Sequence, residues 1–170
     1  MPGKLEFVSE KIDLMNYKIG NFVSWLSFLM VVTTFVIVVM RYVFSEGSIL
    51  VQEMIMYMFG AVFMFGGAYT YLKGGHVRVD IFFKNRSAKQ QALINVFGNL
   101  FLLIPMMVAI FYISMPYVIF SWSLLEGSKD AGGLDLVYIL KTTIPIFALL
   151  MTLQSVSEII KNYHVFKREA

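Results

Sequence analysis

The sequence predicts an all-α integral membrane protein with four transmembrane helices, whose two termini lie on the cytoplasmic side. Hydrophobic residues make up 58% of the chain, whereas a usual soluble domain is roughly 45–50% apolar. Charged residues make up only 15%, and they gather in short segments between long apolar runs. A helix needs about 20 mainly apolar residues to cross the hydrocarbon core of a bilayer. Composition, charge clustering and run length therefore all favour a membrane protein.

The apolar runs define the expected division of the chain. We expect a transmembrane domain over residues 22–160, a cytoplasmic amphipathic segment over 1–21 and a cytoplasmic tail over 161–170. The first apolar run does not resemble a cleaved signal peptide, because mixed acids and bases precede it and no small-residue cleavage site follows it. Within the domain, the four helices are expected at about 22–44, 53–72, 87–125 and 137–160.

The third apolar run is unusually long. Residues 90–125 contain no charged residue and no His, and as one helix they would extend about 54 Å. Ser87 followed by Gln90 matches the S-x-x-Q capping box, so the helix is expected to begin at Ser87. The run is then either one tilted, kinked helix or a helix broken near Pro116, with a second pass or a re-entrant segment after the break.

The positions of the basic residues favour four spans. Of the 14 Lys and Arg residues, 11 lie in the segments 1–21, 73–91 and 161–170, which a four-span topology places on one side. Cytoplasmic loops carry such an excess of Lys and Arg. A fifth span would move the basic tail to the opposite side and remove the bias.

The N-terminal segment has a helical period of its own. Its apolar residues recur at alternating steps of three and four, as in an amphipathic helix. We expect this helix over residues 4–20, lying on the cytoplasmic membrane surface or packing under a partner protein. The apolar residues in question are Leu5, Val8, Ile12, Met15 and Ile19.

The span interiors lack the residues that membrane chemistry needs. Charges at mid-depth usually mark ion or proton paths, and none lies near the centre of an expected span. A haem-b anchor needs facing His ligands within the spans, whereas His76 and His164 lie in a loop and in the tail. We therefore expect no enzyme activity, no catalytic residue, no cofactor and no metal site. The basic loops do not indicate nucleic-acid binding.

The polar residues of interest lie at the ends of the spans. Arg41 and Glu53 are interpreted as a pair that fixes the turn between the first two helices. The segment after helix 2 is interpreted either as a turn at the membrane surface or as a docking edge for a partner. The glycine-rich loop 126–136 is expected to be solvated rather than a cation site. The candidate structural or partner-docking residues are Arg41, Glu53, Gly75, His76, Arg78, Asp80 and Lys141.

These features, in this order, resemble one protein family. Arg41-Tyr-Val-Phe closes helix 1, Val51-Gln-Glu opens helix 2, and Gly75-His-Val-Arg-Val-Asp follows helix 2. Gly132-Gly-Leu and Lys141-Thr-Thr-Ile-Pro come later, and Gln154 lies further along helix 4. Together they resemble the small membrane subunit, the DctQ-like Q component, of tripartite ATP-independent periplasmic (TRAP) transporters.

The resemblance implies a specific setting. It implies a bacterial inner-membrane protein that works with a large membrane subunit (the M component) and a periplasmic solute-binding protein (the P component). In such a system an organic acid enters by Na⁺-coupled transport, with Na⁺ bound to the large subunit. The small subunit is then a scaffold that also helps the binding protein to dock. Two other classes stay open: an anchor of another membrane complex, and an autonomous small transporter or channel.

Overall fold

The computed structural model describes residues 4–76 and 86–168. Within these ranges the chain forms long helices and no strand. All four helices are long and apolar enough to cross a membrane, so the expected all-α membrane fold with four spans is confirmed. The helices are α1 (Lys4–Val43), α2 (Ile49–Leu72), α3 (Ala88–Ser123) and α4 (Val137–Arg168).

The N-terminal segment and the first span form a single helix. α1 runs without interruption for 40 residues, so the expected boundary near residue 21 is not a break. No Pro interrupts the sequence of α1. Its one glycine, Gly20, lies against Tyr69 of α2. A Cβ atom on Gly20 would collide with the Tyr69 ring. The glycine therefore allows close helix packing rather than ending the helix.

The long third run is also one helix. Ser87 and Gln90 form the expected capping box, with the Gln90 backbone N–H donating to Ser87 Oγ and the Ser87 N–H donating to the Gln90 side chain. The break near Pro116 does not occur, because Pro116 lies inside the helix. The irregularity lies instead at Asn99–Leu103, one turn of π-helix directly before the Pro105 region. π-Turns of this kind are found where a helix must accommodate an interruption of its hydrogen bonding.

Two helix boundaries differ from those expected. α2 begins at Ile49, four residues before the expected start, because Ser48 caps it by accepting a hydrogen bond from the Val51 N–H at 3.4 Å. α4 continues to Arg168 and so includes most of the expected tail. Glu53 therefore lies within the helix rather than at its first residue.

α4 is the central helix of the bundle. It packs against α1, α2 and α3, while α1 and α2 also pack along each other. Small residues of α2 allow these approaches: a Cβ on Gly67 would lie 2.7 Å from Phe147, and one on Gly60 would lie 2.8 Å from Leu140. One contiguous cluster of buried apolar side chains comprises Ala68, Met107, Ala148, Leu150 and Met151.

Candidate functional site

The charged side chains that the structure describes gather at the two ends of the bundle. One end contains residues 124–136, which connect α3 to α4; we call this connection the outer loop. The opposite end contains the first turns of α1 and the last turns of α4, and we call it the terminal end. Whether the terminal end is cytoplasmic stays a prediction from the basic residues.

Glu53 holds the outer loop on α2. Its carboxylate accepts hydrogen bonds from Ser128 Oγ and, at 2.5 Å, from the Leu134 backbone N–H. Gly133 passes so close that a Cβ there would lie 2.7 Å from Glu53 Oε1 and 2.6 Å from Ser128 Cβ. A glycine is thus required at position 133 by the close contact of this loop with Glu53.

The expected pair between Arg41 and Glu53 is not formed. In residues 4–76 and 86–168 no salt bridge joins the two side chains, and Arg41 is exposed near the end of α1. The interpretation of Arg41 and Glu53 as a pair was wrong. The Glu53 carboxylate instead accepts hydrogen bonds from the outer loop, which is distant in sequence.

Lys141 holds the other side of the outer loop. It forms a salt bridge with Glu126, and its Nζ lies 3.9 Å from the centre of the Tyr117 ring. Ser121, fully buried on α3, donates to Glu126 Oε2 at 2.7 Å. The hydrogen bond from Lys141, and then that from Ser121, lowers the pKa of the Glu126 carboxyl. These contacts connect α3, the outer loop and α4.

An aromatic contact reinforces the same connection. Trp122 Nε1 donates to Thr142 Oγ1 at 2.8 Å, and the Trp122 ring packs edge-on against Tyr138 at 4.7 Å between centroids. The outer loop is therefore fixed at both of its ends, while its tip at 129–132 is exposed. Such an arrangement presents a short polar segment in a defined position.

At the terminal end, Asp13 of α1 is bonded to three side chains of α4. Its carboxylate accepts from Ser157 Oγ at 2.6 Å and Gln154 Nε2 at 2.9 Å, and it forms a salt bridge with Lys161 at 3.1 Å. Lys161 also pairs with Glu158 on its own helix. One carboxylate thus connects the first helix to the last.

Buried neutral groups extend this contact. Asn16 Nδ2 donates to Gln154 Oε1 at 2.7 Å, and the hydroxyls of Ser9 and Ser157 lie 2.7 Å apart. All four side chains are almost fully buried. Leaving a buried polar group unpaired costs about 1–3 kcal/mol, so these pairs select one register of α1 on α4. One face of the amphipathic segment is therefore covered by the chain's own α4.

A third polar group lies at the π-turn of α3. Asn99 Oδ1 accepts from Tyr71 of α2 at 2.7 Å and from Ser155 of α4 at 2.6 Å. Its Nδ2 donates to the Asn95 carbonyl at 2.8 Å. A single buried amide thus joins three helices. The sequence analysis missed this residue, although an Asn inside an otherwise apolar run was the available signal.

The turn after α2 begins as the sequence indicates. Gly74 adopts a positive φ of 68°, and the Gly75 N–H donates to the Thr70 carbonyl at 2.9 Å. Two glycines therefore end the helix, as in a glycine C-cap. His76 folds back along α2, with Nε2 3.2 Å from the Gly67 carbonyl oxygen and its ring 5.4 Å from the Tyr71 ring.

The remaining candidate residues are not brought into one site. Arg78 and Asp80 lie outside the described residues, so their role stays a prediction. Gly75 and His76 lie at the end of α2, whereas Glu53 and Lys141 lie at the outer-loop end. Among the residues that the structure describes, no group of three or more His, Asp or Glu could hold a metal ion.

The fold and these clusters define a class: a multi-pass membrane protein whose helices are connected at both ends by polar contacts, with an apolar interior between them. A family model described as "Tripartite ATP-independent periplasmic transporters, DctQ component" matches residues 30–164. The match covers most of the chain, so the protein belongs to the DctQ family and is a transporter component. No curated protein and no solved structure matches the chain significantly.

Proposed function

We propose that this chain is the scaffold subunit of a TRAP transporter. It supports the large membrane subunit and the docking of the solute-binding protein during Na⁺-coupled uptake of an organic acid. Membership of the DctQ family supports the transporter assignment. The absence of charged residues from 22–40, 54–72, 90–125 and 142–157 supports the scaffold role.

The separation of polar ends from an apolar interior is the observation that carries this proposal. Moving an organic anion across a membrane requires compensating charges or helix dipoles at mid-depth. Here Glu53 and Lys141 bind the outer loop, and Asp13 binds α4 at the opposite end. The hydrogen bonds and salt bridges of these three side chains connect neighbouring helices and the outer loop. None of the three lies at mid-depth, where a transported anion would need it.

The exposed surface of the spans suits a partner within the membrane. Large apolar side chains of α1 and α3 are highly exposed, among them Phe35 at 68% and Ile113 at 74%. In a bilayer such faces contact lipid or another membrane protein. A large membrane subunit is a partner of appropriate chemistry, because helices that span a bilayer must be predominantly apolar.

The fixed tip of the outer loop suits a second partner in the aqueous phase. Lys129 and Asp130 are exposed there, on a loop held by Glu53 on one side and by Lys141 on the other. This tip lies at the end of the bundle opposite the chain termini. A soluble binding protein could bind it there in one defined orientation. We propose this tip as the part of the subunit that the binding protein contacts.

The glycine–basic segment after α2 is proposed as the edge that contacts the large subunit. The sequence places His76, Arg78 and Asp80 within five residues, and the start of the segment is held by His76 and the two glycines. Charged groups beside a membrane surface can fix the orientation of two docked subunits, which an apolar face alone does not do. Arg41, which is exposed near the opposite end of α1, is a further candidate.

Co-purification of the tagged chain with the co-expressed large subunit tests the proposal. We expect a stable complex, and we expect Arg78→Glu to reduce the recovered large subunit severalfold while the variant still inserts into the membrane. Lys167→Glu, which reverses an exposed charge at the end of α4, is the matched control and should retain the complex. Recovery of the chain with no large subunit, under conditions where both are inserted, would contradict the scaffold role. It would favour a different complex or an autonomous protein.

A further inference from the structure

A groove between α1 and α2 is open to the membrane. It has a volume of about 470 Å³ and lies at the half of the bundle nearest the terminal end. Its walls include Ser24 and Ser27 of α1 and Val62, Phe63 and Thr70 of α2. Phe147 of α4 and His76, at the start of the segment after α2, complete its lining.

The depth of the groove matches one leaflet of a bilayer. From Val62 to Thr70 the groove follows α2 for eight residues, or about 12 Å at a rise of 1.5 Å per residue. One leaflet supplies half of the roughly 30 Å of hydrocarbon. The groove therefore extends from the headgroup level, where α2 ends at Leu72, towards the middle of the membrane.

The serine and threonine hydroxyls of the groove wall already donate hydrogen bonds within the protein. Ser24 donates to the Gly20 carbonyl at 2.9 Å, Ser27 to the Val23 carbonyl at 3.1 Å and Thr70 to the Gly66 carbonyl at 2.9 Å. Each hydroxyl is bonded to its own helix. The surface that remains suits a hydrocarbon chain.

A cation lies at the headgroup end of the same groove. Lys73 follows the last residue of α2, and its Nζ lies 4.9 Å from the Tyr17 ring centre and 5.7 Å from that of Tyr69. Tyr69 lines the groove. In the described part of the chain no carboxylate pairs with Lys73, whereas Lys141 and Lys161 both have carboxylate partners. Tyrosine rings with a basic residue are typical of the interface between membrane and water.

We propose that this groove binds an anionic phospholipid. The headgroup phosphate contacts Lys73 between the two tyrosines, and one acyl chain lies along Ser24, Ser27 and Phe63. The charge of Lys73 at headgroup depth, which no carboxylate of residues 4–76 and 86–168 neutralises, favours a lipid phosphate over the apolar face of a partner helix. The proposal is independent of the scaffold role, since it concerns the chain in any bilayer.

Native mass spectrometry of the purified full chain tests the site. The chain is incubated with equal amounts of phosphatidylglycerol and phosphatidylcholine that carry the same acyl chains, and retained lipid is measured. We expect preferential retention of phosphatidylglycerol. Lys73→Gln should lower that retention about fivefold, as expected for one basic residue near a membrane surface. Lys18→Gln, an exposed lysine that does not line the groove, should leave it unchanged.

A second pair of variants tests the groove itself. Gly66 lines the groove, and a Cβ added there would meet only Val23 Cγ1, at an ordinary 3.8 Å. Gly66→Leu should therefore fill the groove and reduce phosphatidylglycerol retention to the level of phosphatidylcholine. Gly98→Leu on α3, where a Cβ meets no atom within 4 Å, is the matched control. Ser27→Leu is an independent groove-filling variant should Gly66→Leu fail to fold.

The outcomes separate the possible occupants. Equal retention of the two lipids by the native chain would overturn the proposal. Retention that depends on Lys73 but not on Gly66 or Ser27 would show a surface contact without an occupied groove, and would also overturn it. If the groove-filling variants lose the large subunit and keep the lipid, the occupant is a partner helix instead.

Discussion

The carboxylate of Asp13 lies 3.1 Å from Nζ of Lys161, across 148 residues of sequence. The two side chains come from the first turns of α1 and the last turns of α4. Their contact requires both ends of the chain to lie on the same side of the membrane, which only an even number of spans allows. A structural contact and the distribution of basic residues thus support the same four-span topology by independent routes.

The topology predicts which exposed positions react with a membrane-impermeant thiol reagent. The chain contains no Cys, so single replacements report one position each. Ala131→Cys at the tip of the outer loop should react from the periplasmic face, and Lys11→Cys on α1 should react only from the cytoplasmic face. Labelling in oriented inner-membrane vesicles measures this. Reaction of both positions from the same face would contradict the four-span arrangement.

Removal of the Asp13 carboxylate should destabilise the terminal end. Asp13→Ala removes the acceptor of Gln154 Nε2 and one of the partners of Ser157 and of Lys161. Loss of such a partner costs about 1–3 kcal/mol, so thermal unfolding followed by tryptophan fluorescence should shift to lower temperature. Glu10→Ala, one turn away and exposed, is the control and should unfold like the native chain. Equal unfolding temperatures for the two variants would show that the Asp13 contacts contribute nothing.

The outer-loop end should lose stability in acid. Lys141 and Ser121 lower the pKa of Glu126 below its ordinary value of 4.5. A carboxyl with a depressed folded-state pKa stabilises the fold above its unfolded-state pKa, and the contribution is lost as pH falls through the folded-state value. The unfolding temperature should therefore decrease between about pH 5 and pH 3. Glu126→Gln should be less stable at neutral pH and should show a shallower decrease. An identical pH profile in the variant would contradict this origin.

The close contact at Gly133 makes a prediction about docking. A methyl group there would lie 2.7 Å from Glu53 Oε1, so Gly133→Ala should release the outer loop from α2. We expect weaker binding of the solute-binding protein to the reconstituted transporter, measured by surface plasmon resonance. Gly47→Ala lies in open space near the same end and is the matched control. If Gly133→Ala binds the solute-binding protein as tightly as the native chain, the outer loop does not take part in docking.

Much of the fold could be predicted from the sequence because it depends on local chemistry. Run length and charge position predict the four spans, and the Ser87 capping box predicts the start of α3. The contacts between distant residues could not be predicted in this way. The groups that donate hydrogen bonds to Glu53 lie 75 and 81 residues later in the chain. Nothing in the spacing of the sequence identifies Leu134 as one of them.

The role of the N-terminal segment illustrates the same limit. Its period predicts an amphipathic helix, but only the fold shows that Asn16 faces Gln154 rather than a membrane surface. The π-turn at Asn99 is similar, because Asn99 accepts hydrogen bonds from Tyr71 and Ser155 on two other helices. Polar residues inside apolar runs are therefore the positions where a sequence indicates a contact without identifying the partner.

Uptake by proteoliposomes tests most directly whether this chain is a scaffold. The chain alone, the large subunit alone, and the two together are reconstituted under a Na⁺ gradient, each with the binding protein loaded with its organic acid. We expect no uptake by the chain alone, because its span interiors carry no charge at mid-depth. We expect full uptake by the pair and strongly reduced uptake by the large subunit without this chain. Na⁺-driven uptake by the chain alone, or undiminished uptake by the large subunit without it, would contradict the scaffold role.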